Sequence, residues 1–352
     1  MVARRAVRAV LAALGLASCL ATACNAHAAA TGKCTLARTA EWQVRTTRGV
    51  PIVDGAINGQ KVGIMLDTGA GVSLLMRPAA ERLGLVRYDA GSVRIIGVGG
   101  ETKVETVSID EFVIGGDKRR NFRMLVAGEH EFGGDVAVIL GEDFFRHVDI
   151  EFDLAHDMVR LFQVKDCEGK SLAYWATDGA GMIEFDTVFG ANPAIEFNVE
   201  INGQPVKAQL DSGASTSILT KPEAAALGVT PESPGVVSVG CGRGAGRKLI
   251  PTWVGPFGSF RIDNEIIRDP SIRFADIWKY STYEGTGTRI AITVVHPDML
   301  LGADFLRAHR VLIAHSQQRM YFTYAGGTVF QPGSLTPCEE LTGPDAPAPA
   351  GK

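Results

Sequence analysis

Two turns in this chain are near copies of each other. Ile64-Met65-Leu66-Asp67-Thr68-Gly69-Ala70 returns as Ala208-Gln209-Leu210-Asp211-Ser212-Gly213-Ala214, 144 residues later. The likeness extends into the flanks at the same spacing. Ile57-Asn58-Gly59-Gln60 matches Ile201-Asn202-Gly203-Gln204, and Ser73-Leu74-Leu75 matches Ser217-Ile218-Leu219. Pro78, Ala80 and Leu83-Gly84 likewise match Pro222, Ala224 and Leu227-Gly228. Further on, Ile139-Leu140-Gly141-Glu142-Asp143-Phe144-Phe145 pairs with Leu300-Leu301-Gly302-Ala303-Asp304-Phe305-Leu306 at a spacing of 161, so the second copy holds about 17 extra residues. A duplication of this kind predicts two homologous lobes, each presenting one aspartate on a tight turn.

Between the repeats the chain is written in short apolar runs broken by Gly, Asn-Gly or Asp-Gly. Val93 to Val98, Glu105 to Ile114, Phe122 to Val126, Ala194 to Ile201 and Arg319 to Tyr324 are of strand length, and the chain has 41 glycines. This predicts an all-β protein rich in tight turns. Asn58-Gly59 and Asn202-Gly203 read as hairpin turns leading into the strands that carry the aspartates. Helices should be few. The clearest follows the second turn, where Thr220 can cap, Pro222 suits the first turn, Glu223 completes a capping box and Gly228 stops the helix. Pro78 to Leu83 before Gly84 is the weaker counterpart, and short helical turns are expected after Gly141 and Gly302. A linker is placed around Glu168 to Gly190.

These motifs together resemble the retropepsin and pepsin superfamily of aspartic proteases. The resemblance rests on Leu66-Asp67-Thr68-Gly69-Ala70, Leu210-Asp211-Ser212-Gly213-Ala214 and the apolar-apolar-Gly elements at Leu140-Gly141 and Leu301-Gly302. Ala after Gly in both turns and the Gly-x-Asp-Phe element are similar to the retropepsin-like branch, here with two fused lobes. The resemblance implies the acid protease fold: two homologous closed β-barrel-like lobes around a pseudo-twofold cleft, with few short helices. It implies lobes over 40–168 and 171–330. It implies Asp67 and Asp211 as a catalytic pair of carboxyls about 3 Å apart, which cannot both be charged and so share a proton. It also implies that Thr68 and Ser212 hold the two turns against each other, that Gly69 and Gly213 bring backbone N–H groups to the carboxyls, and that Leu140-Gly141 and Leu301-Gly302 pack behind them. Gly97, Val98, Gly99 and Gly100 stand where family members put a substrate-covering hairpin, and Gly240, Cys241 and Gly242 are its partner flap. No Tyr sits near the first flap tip, unlike the pepsin pattern. Pepsin-like enzymes often carry Ser or Thr where Ala70 and Ala214 stand. Without that hydroxyl the pair should hold its proton to higher pH, giving a mildly acidic optimum.

The implied activity is an aspartic endopeptidase acting on a peptide or protein. The rival reading is a non-catalytic cell-envelope peptide-binding protein of the same fold. Other chemistries find little support. Ser73, Ser215 and Ser217 lie in no Gly-x-Ser-x-Gly elbow. Glu129-His130-Glu131 lacks the second His of a zinc-peptidase helix, so no metal or other cofactor is expected. Asp143 and Asp304 read as backbone anchors. Charge is balanced at 35 basic against 39 acidic residues, with no basic stripe for nucleic acid.

Residues 1–30 read as a signal peptide. Arg4, Arg5 and Arg8 precede an apolar run over Ala9 to Ala23, and Ala26-His27-Ala28 offers a small-x-small cleavage site. Leu16-Ala17-Ser18-Cys19 also resembles a lipoprotein box, which would make Cys19 a lipid anchor. Simple cleavage near Ala28 to Ala30 is favoured because the apolar run continues past Cys19. An exported, periplasmic, cell-envelope or secreted monomer with no transmembrane span follows from this. The four remaining cysteines, Cys34, Cys167, Cys241 and Cys338, read as disulfides. Cys34 with Cys167 is the favoured pair, because they bracket the first copy. Cys241 sits in a glycine-rich segment expected to move, which argues against its pairing with Cys338. Residues 331–352 form a Pro-rich tail.

Overall fold

The computed structural model describes residues 33–130, 132–187, 194–244, 246–281, 296–330 and 338. The expected signal peptide, the alternative lipid site at Cys19 and all of the tail except Cys338 lie outside them.

The first half runs β1 (Thr35–Thr47), β2 (Val50–Ile57), β3 (Gln60–Leu66), β4 (Leu74–Met76), α1 (Arg77–Arg82), β5 (Arg87–Gly97), β6 (Gly100–Ile114), β7 (Asp117–Ala127), β8 (Val136–Leu140), α2 (Glu142–Phe145), β9 (Asp149–Asp153) and β10 (Met158–Lys165). The second runs β11 (Gly181–Glu184), β12 (Asp186–Thr187), β13 (Ile195–Ile201), β14 (Gln204–Leu210), β15 (Ile218–Thr220), α3 (Lys221–Ala226), β16 (Val237–Gly242), β17 (Ile250–Pro256) and β18 (Ser259–Ile262). It ends with β19 (Glu265–Arg268), β20 (Ser271–Ala275), β21 (Met299–Leu301), α4 (Ala303–Ala308), β22 (His309–Ala314) and β23 (Arg319–Tyr324). The protein is all-β, two-lobed and nearly free of helix.

Local chemistry accounts for the hairpins that deliver the aspartates. Asn58-Gly59 and Asn202-Gly203 all have positive φ, as a two-residue hairpin turn requires. Each Asn side chain also accepts two backbone N–H groups from a neighbouring strand: Asn58 from Asp110 and Glu111, Asn202 from Gly258 and Ser259. α3 starts where the sequence places it. The Thr220 hydroxyl accepts the Glu223 N–H at 3.3 Å, and Gly228 follows with φ +85°. The return bond of a capping box is replaced, because the Thr220 N–H donates to Asp298 O at 2.7 Å.

In the first lobe β2, β3, β8, β4, β7 and β6 form a ring that closes where β6 pairs back onto β2. β8 is buried along its whole length because it lies between β3, its parallel neighbour, and β4. The second lobe repeats this ring with β13, β14, β21, β15, β20 and β17. There the long closing strand is broken at Phe257-Gly258 into β17 and β18, and β18 completes the ring by pairing with β13. The barrel is therefore closed in one lobe and interrupted in the other.

One sheet joins the halves in the order β11-β23-β22-β9-β10-β1. Its seam is β9 against β22, with Ile150 opposite Ile313 and Phe152 opposite Val311. The segment expected to be a linker thus supplies β11, which pairs with β23, and β12, which pairs with β13. Phe145, Phe152, Phe305 and Phe322 are fully buried about this seam in a core continuous through both lobes. Each such ring is worth roughly 1.5–3 kcal/mol of burial.

The seam generates a prediction. Residues 33–165 expressed alone would leave the β9 edge, with Ile150 and Phe152, uncovered. The fragment is expected to self-associate or stay unfolded, as read by sedimentation velocity. A monodisperse folded monomer would contradict it.

Candidate active site

Asp67 and Asp211 stand at the ends of β3 and β14. Each strand is held by a parallel neighbour, and the Asp67 and Asp211 N–H groups donate to Leu140 O and Leu301 O, both at 2.9 Å. The chain then turns sharply. Asp67 Oδ1 accepts the N–H groups of Gly69 and Ala70 at 2.9 and 3.0 Å. Asp211 Oδ1 accepts those of Gly213 and Ala214 at 3.0 and 2.9 Å.

The turns are locked by reciprocal bonds. The Thr68 N–H donates to Ser212 Oγ at 2.9 Å, and the Ser212 N–H to Thr68 Oγ1 at 3.0 Å. Each hydroxyl then donates across to the other lobe, Thr68 to Leu210 O and Ser212 to Leu66 O. Both residues are fully buried. Glycine is required next to them. A β-carbon on Gly69 would collide with the Asp211 carboxyl, and one on Gly213 with the Asp67 carboxyl. Each carboxyl therefore lies against the glycine of the opposite turn.

Burial is the main reason both carboxyls hold protons more tightly than an ordinary aspartate. For Asp67, repulsion from Asp211 adds to it; the backbone N–H bonds oppose it at both sites. Two carboxyls that interact this strongly titrate as a unit.

Gly141 and Gly302 lie directly behind the turns, with no room for a side chain against Ala70 O and Ala214 O respectively. The N–H groups that follow, of Glu142 and Ala303, donate to the same oxygens at 2.8 and 2.7 Å. Asp143 Oδ1 accepts the N–H and hydroxyl of Ser73, and Asp304 Oδ1 accepts those of Ser217. The serine oxygens in turn accept the Gly141 and Gly302 N–H groups. The repeated Ser and Asp thus brace the backbone behind each turn.

Gly97 and Gly100 face each other in the β5–β6 hairpin, whose tip is Val98-Gly99. Gly240, Cys241 and Gly242 are not at a tip. They lie within β16, beside a bulge between Ser238 and Gly240, and the loop that reaches across begins at Arg243. This position explains why Cys241 does pair with Cys338, as Cys34 does with Cys167: it is a buried strand residue.

A family model described as aspartyl protease matches residues 53–144 and 197–305, more than half of the chain and including both aspartate turns. The chain belongs to this family. No curated protein sequence matches it. Among solved structures, basic 7S globulin from soybean is similar with a TM-score of 0.43 and 10% identity, over 84% of this chain and 98% of that one.

One group in this family member has no counterpart among the site residues that the sequence suggests. Glu142 occupies the place where the other lobe has Ala303, so the two Gly-x-Asp-Phe copies already held the signal. Glu142 is 1% exposed, and its Oε1 has no hydrogen-bond partner among the described residues. Its Oε2 lies 3.7 Å from Nε2 of His315, a second-lobe residue buried under Phe185. Burial first, then the nearby Asp67 and Asp143 carboxyls, push Glu142 up to about 8. Burial first, then His147, brings His315 down to about 4. Both are therefore neutral in mild acid.

Between about 4.5 and about 8 the unfolded chain has released the Glu142 proton while the native chain keeps it, so this group lowers stability as pH rises. His315 acts oppositely below its ordinary value, costing stability as pH falls from 6.5 to about 4. Glu142→Gln should flatten the decline between pH 5 and 7.5 in urea-unfolding midpoints. An unchanged slope would show that Glu142 is ionised in the folded protein.

Proposed function

We propose that this family member is an aspartic endopeptidase in which Asp67 and Asp211 activate a water molecule against a peptide carbonyl. The observation that carries the reading is the reciprocal Thr68–Ser212 bonding, which sets the Asp67 and Asp211 carboxyls each against the glycine of the opposite turn. In this reading the ionised carboxyl takes a proton from the water as it attacks. The protonated one donates to the carbonyl oxygen as negative charge grows there. Collapse of the tetrahedral intermediate expels the amine, which leaves with a proton returned by the pair. No covalent intermediate forms.

Substrate would lie extended in the cleft beneath the Val98-Gly99 tip and the loop after Arg243, partly as an added strand. Residues 40–168 and 171–330 are the two lobes, and 331–352 the tail. One chain supplies both carboxyls, so a monomer suffices. Two disulfides support an oxidising, extracytoplasmic setting, in keeping with an export signal over residues 1–30. Among the described residues no helix is long and apolar enough to cross a membrane.

The test is cleavage of a mixed peptide library from pH 3 to 8 by the mature chain and by Asp211→Asn. Cuts made by the wild type and lost in the variant are expected. Folded wild-type protein that binds peptides without cutting them would favour the binding-protein reading. The pH dependence gives a second check. Ala70→Ser would place a hydroxyl donor beside the Asp67 carboxylate and shift the acid limb of kcat/KM down by about one pH unit. An unmoved limb would mean that the hydroxyl does not reach the carboxylate.

A further inference from the structure

The two lobes receive each other's flaps in different ways. Strand register makes Arg77, Glu105 and Glu129 of the first lobe equivalent to Lys221, Trp253 and Ile277 of the second. In the second lobe the two carboxylates give way to Trp253 and Ile277, and Lys221 Nζ lies over the Trp253 ring, 5.0 Å from its centroid. Val98, from the first flap, packs there against Ile250, Ala275, Ile277 and Leu300. In the first lobe the same site is ionic. Glu129 accepts from Arg77 and from the Thr102 hydroxyl, and Arg77 also bonds Glu105 at 2.9 Å.

Into this ionic site reaches Arg247, from the loop between β16 and β17. Its Nη2 donates to Glu129 Oε2 at 2.8 Å. The residues on either side of Arg247 are bonded to the first flap tip. The Gly246 N–H donates to Val98 O and the Lys248 N–H to Gly99 O, both at 3.1 Å. Packing there is close: a β-carbon on Gly244 or Gly246 would collide with Val98 or Gly99.

We propose that Glu129 is a positioning residue for substrate covering: through Arg247 it holds the second-lobe loop onto the Val98-Gly99 tip and so sets how often the cleft opens. The inference rests on the peptidase reading for its role in turnover, but the clamp itself does not. Two backbone bonds between the tips are weak alone. A cation anchored on a carboxylate that is itself fixed by Arg77 gives the loop a defined seat. Around Glu129 the facing charges are Arg77 and Arg247, with Glu105 and Arg87 beyond Arg77, and Arg243 beside His130 next door. Burial tends to raise Glu129, but its bonds to Arg247 and Arg77 outweigh this and keep it below its ordinary value. The clamp is therefore set in mild acid and at neutral pH, and it loosens as pH falls through the Glu129 titration, below 4.5.

The test is amide hydrogen exchange at Gly246 and Lys248 in the disulfide-intact mature chain, with peptide kinetics alongside. Arg247 is 60% exposed, so Arg247→Gln leaves folding intact. It should lower protection at both amides roughly fivefold, the scale of one partly exposed ion pair. Arg247→Lys should restore most of it. Glu129→Gln should match Arg247→Gln at pH 7 and remove the loss of protection that the wild type shows in acid. With a cleavable peptide, Arg247→Gln should change KM severalfold without moving the acid limb of kcat. Wild-type protection in Arg247→Gln would overturn the clamp. If the wild type cleaves nothing, the exchange data still decide it, and only the peptidase reading falls.

Discussion

Everything at the centre of this protein depends on the crossed hydrogen bonds between Thr68 and Ser212. They bury two hydroxyls and two backbone N–H groups with every donor satisfied by the opposite lobe. A buried polar group without a partner costs more than a made bond returns, so the two turns are tolerable only together. This contact draws two carboxyls into a space that electrostatics would keep them from sharing. Gly69 and Gly213 are the other half of the arrangement, since any side chain there would strike the opposite carboxyl. The raised proton affinity of the pair follows from the packing of the turns.

The lobes repeat each other in backbone but not in electrostatics. Ser73-Asp143 and Ser217-Asp304 brace the two turns identically. Behind one turn sits Glu142 and behind the other Ala303. One flap is seated on an apolar cluster, the other on a carboxylate. Duplication gave a symmetric frame, and single side chains have since made its two sides chemically distinct.

Much of this was legible in the sequence because it is local. The turn motif, the Asn-Gly hairpins and the Thr220 cap are each specified by residues within a few positions of one another. The bridging sheet was not, because β9 and β22 carry no mark of their pairing and lie far apart in the chain. The strands β11 and β12 were hidden in what read as a linker, being short and flanked by Gly and Asp. The place of Gly240 and Gly242 in a bulged strand was not legible either, because it shows only in the pairing of β16 with β17. The buried strand position of Cys241, which suits its bond to Cys338, was hidden for the same reason. Glu142 was visible as a difference between the two repeats, but its meaning depended on His315, which only the fold brings near.

The two disulfides have a consequence for how this molecule comes apart. Cys34 precedes β1 and Cys338 follows β23, so a covalent bond fastens each end of the described chain to an interior strand or its margin. Chain ends are where proteins ordinarily begin to fray. Here Cys34 and Cys338 are each tied to a segment about a hundred residues or more away in the sequence. Unfolding has to start from an interior loop or from the seam between the lobes, where many bonds break together. A molecule fastened in this way resists slow peeling and yields all at once, which favours a long life over easy refolding.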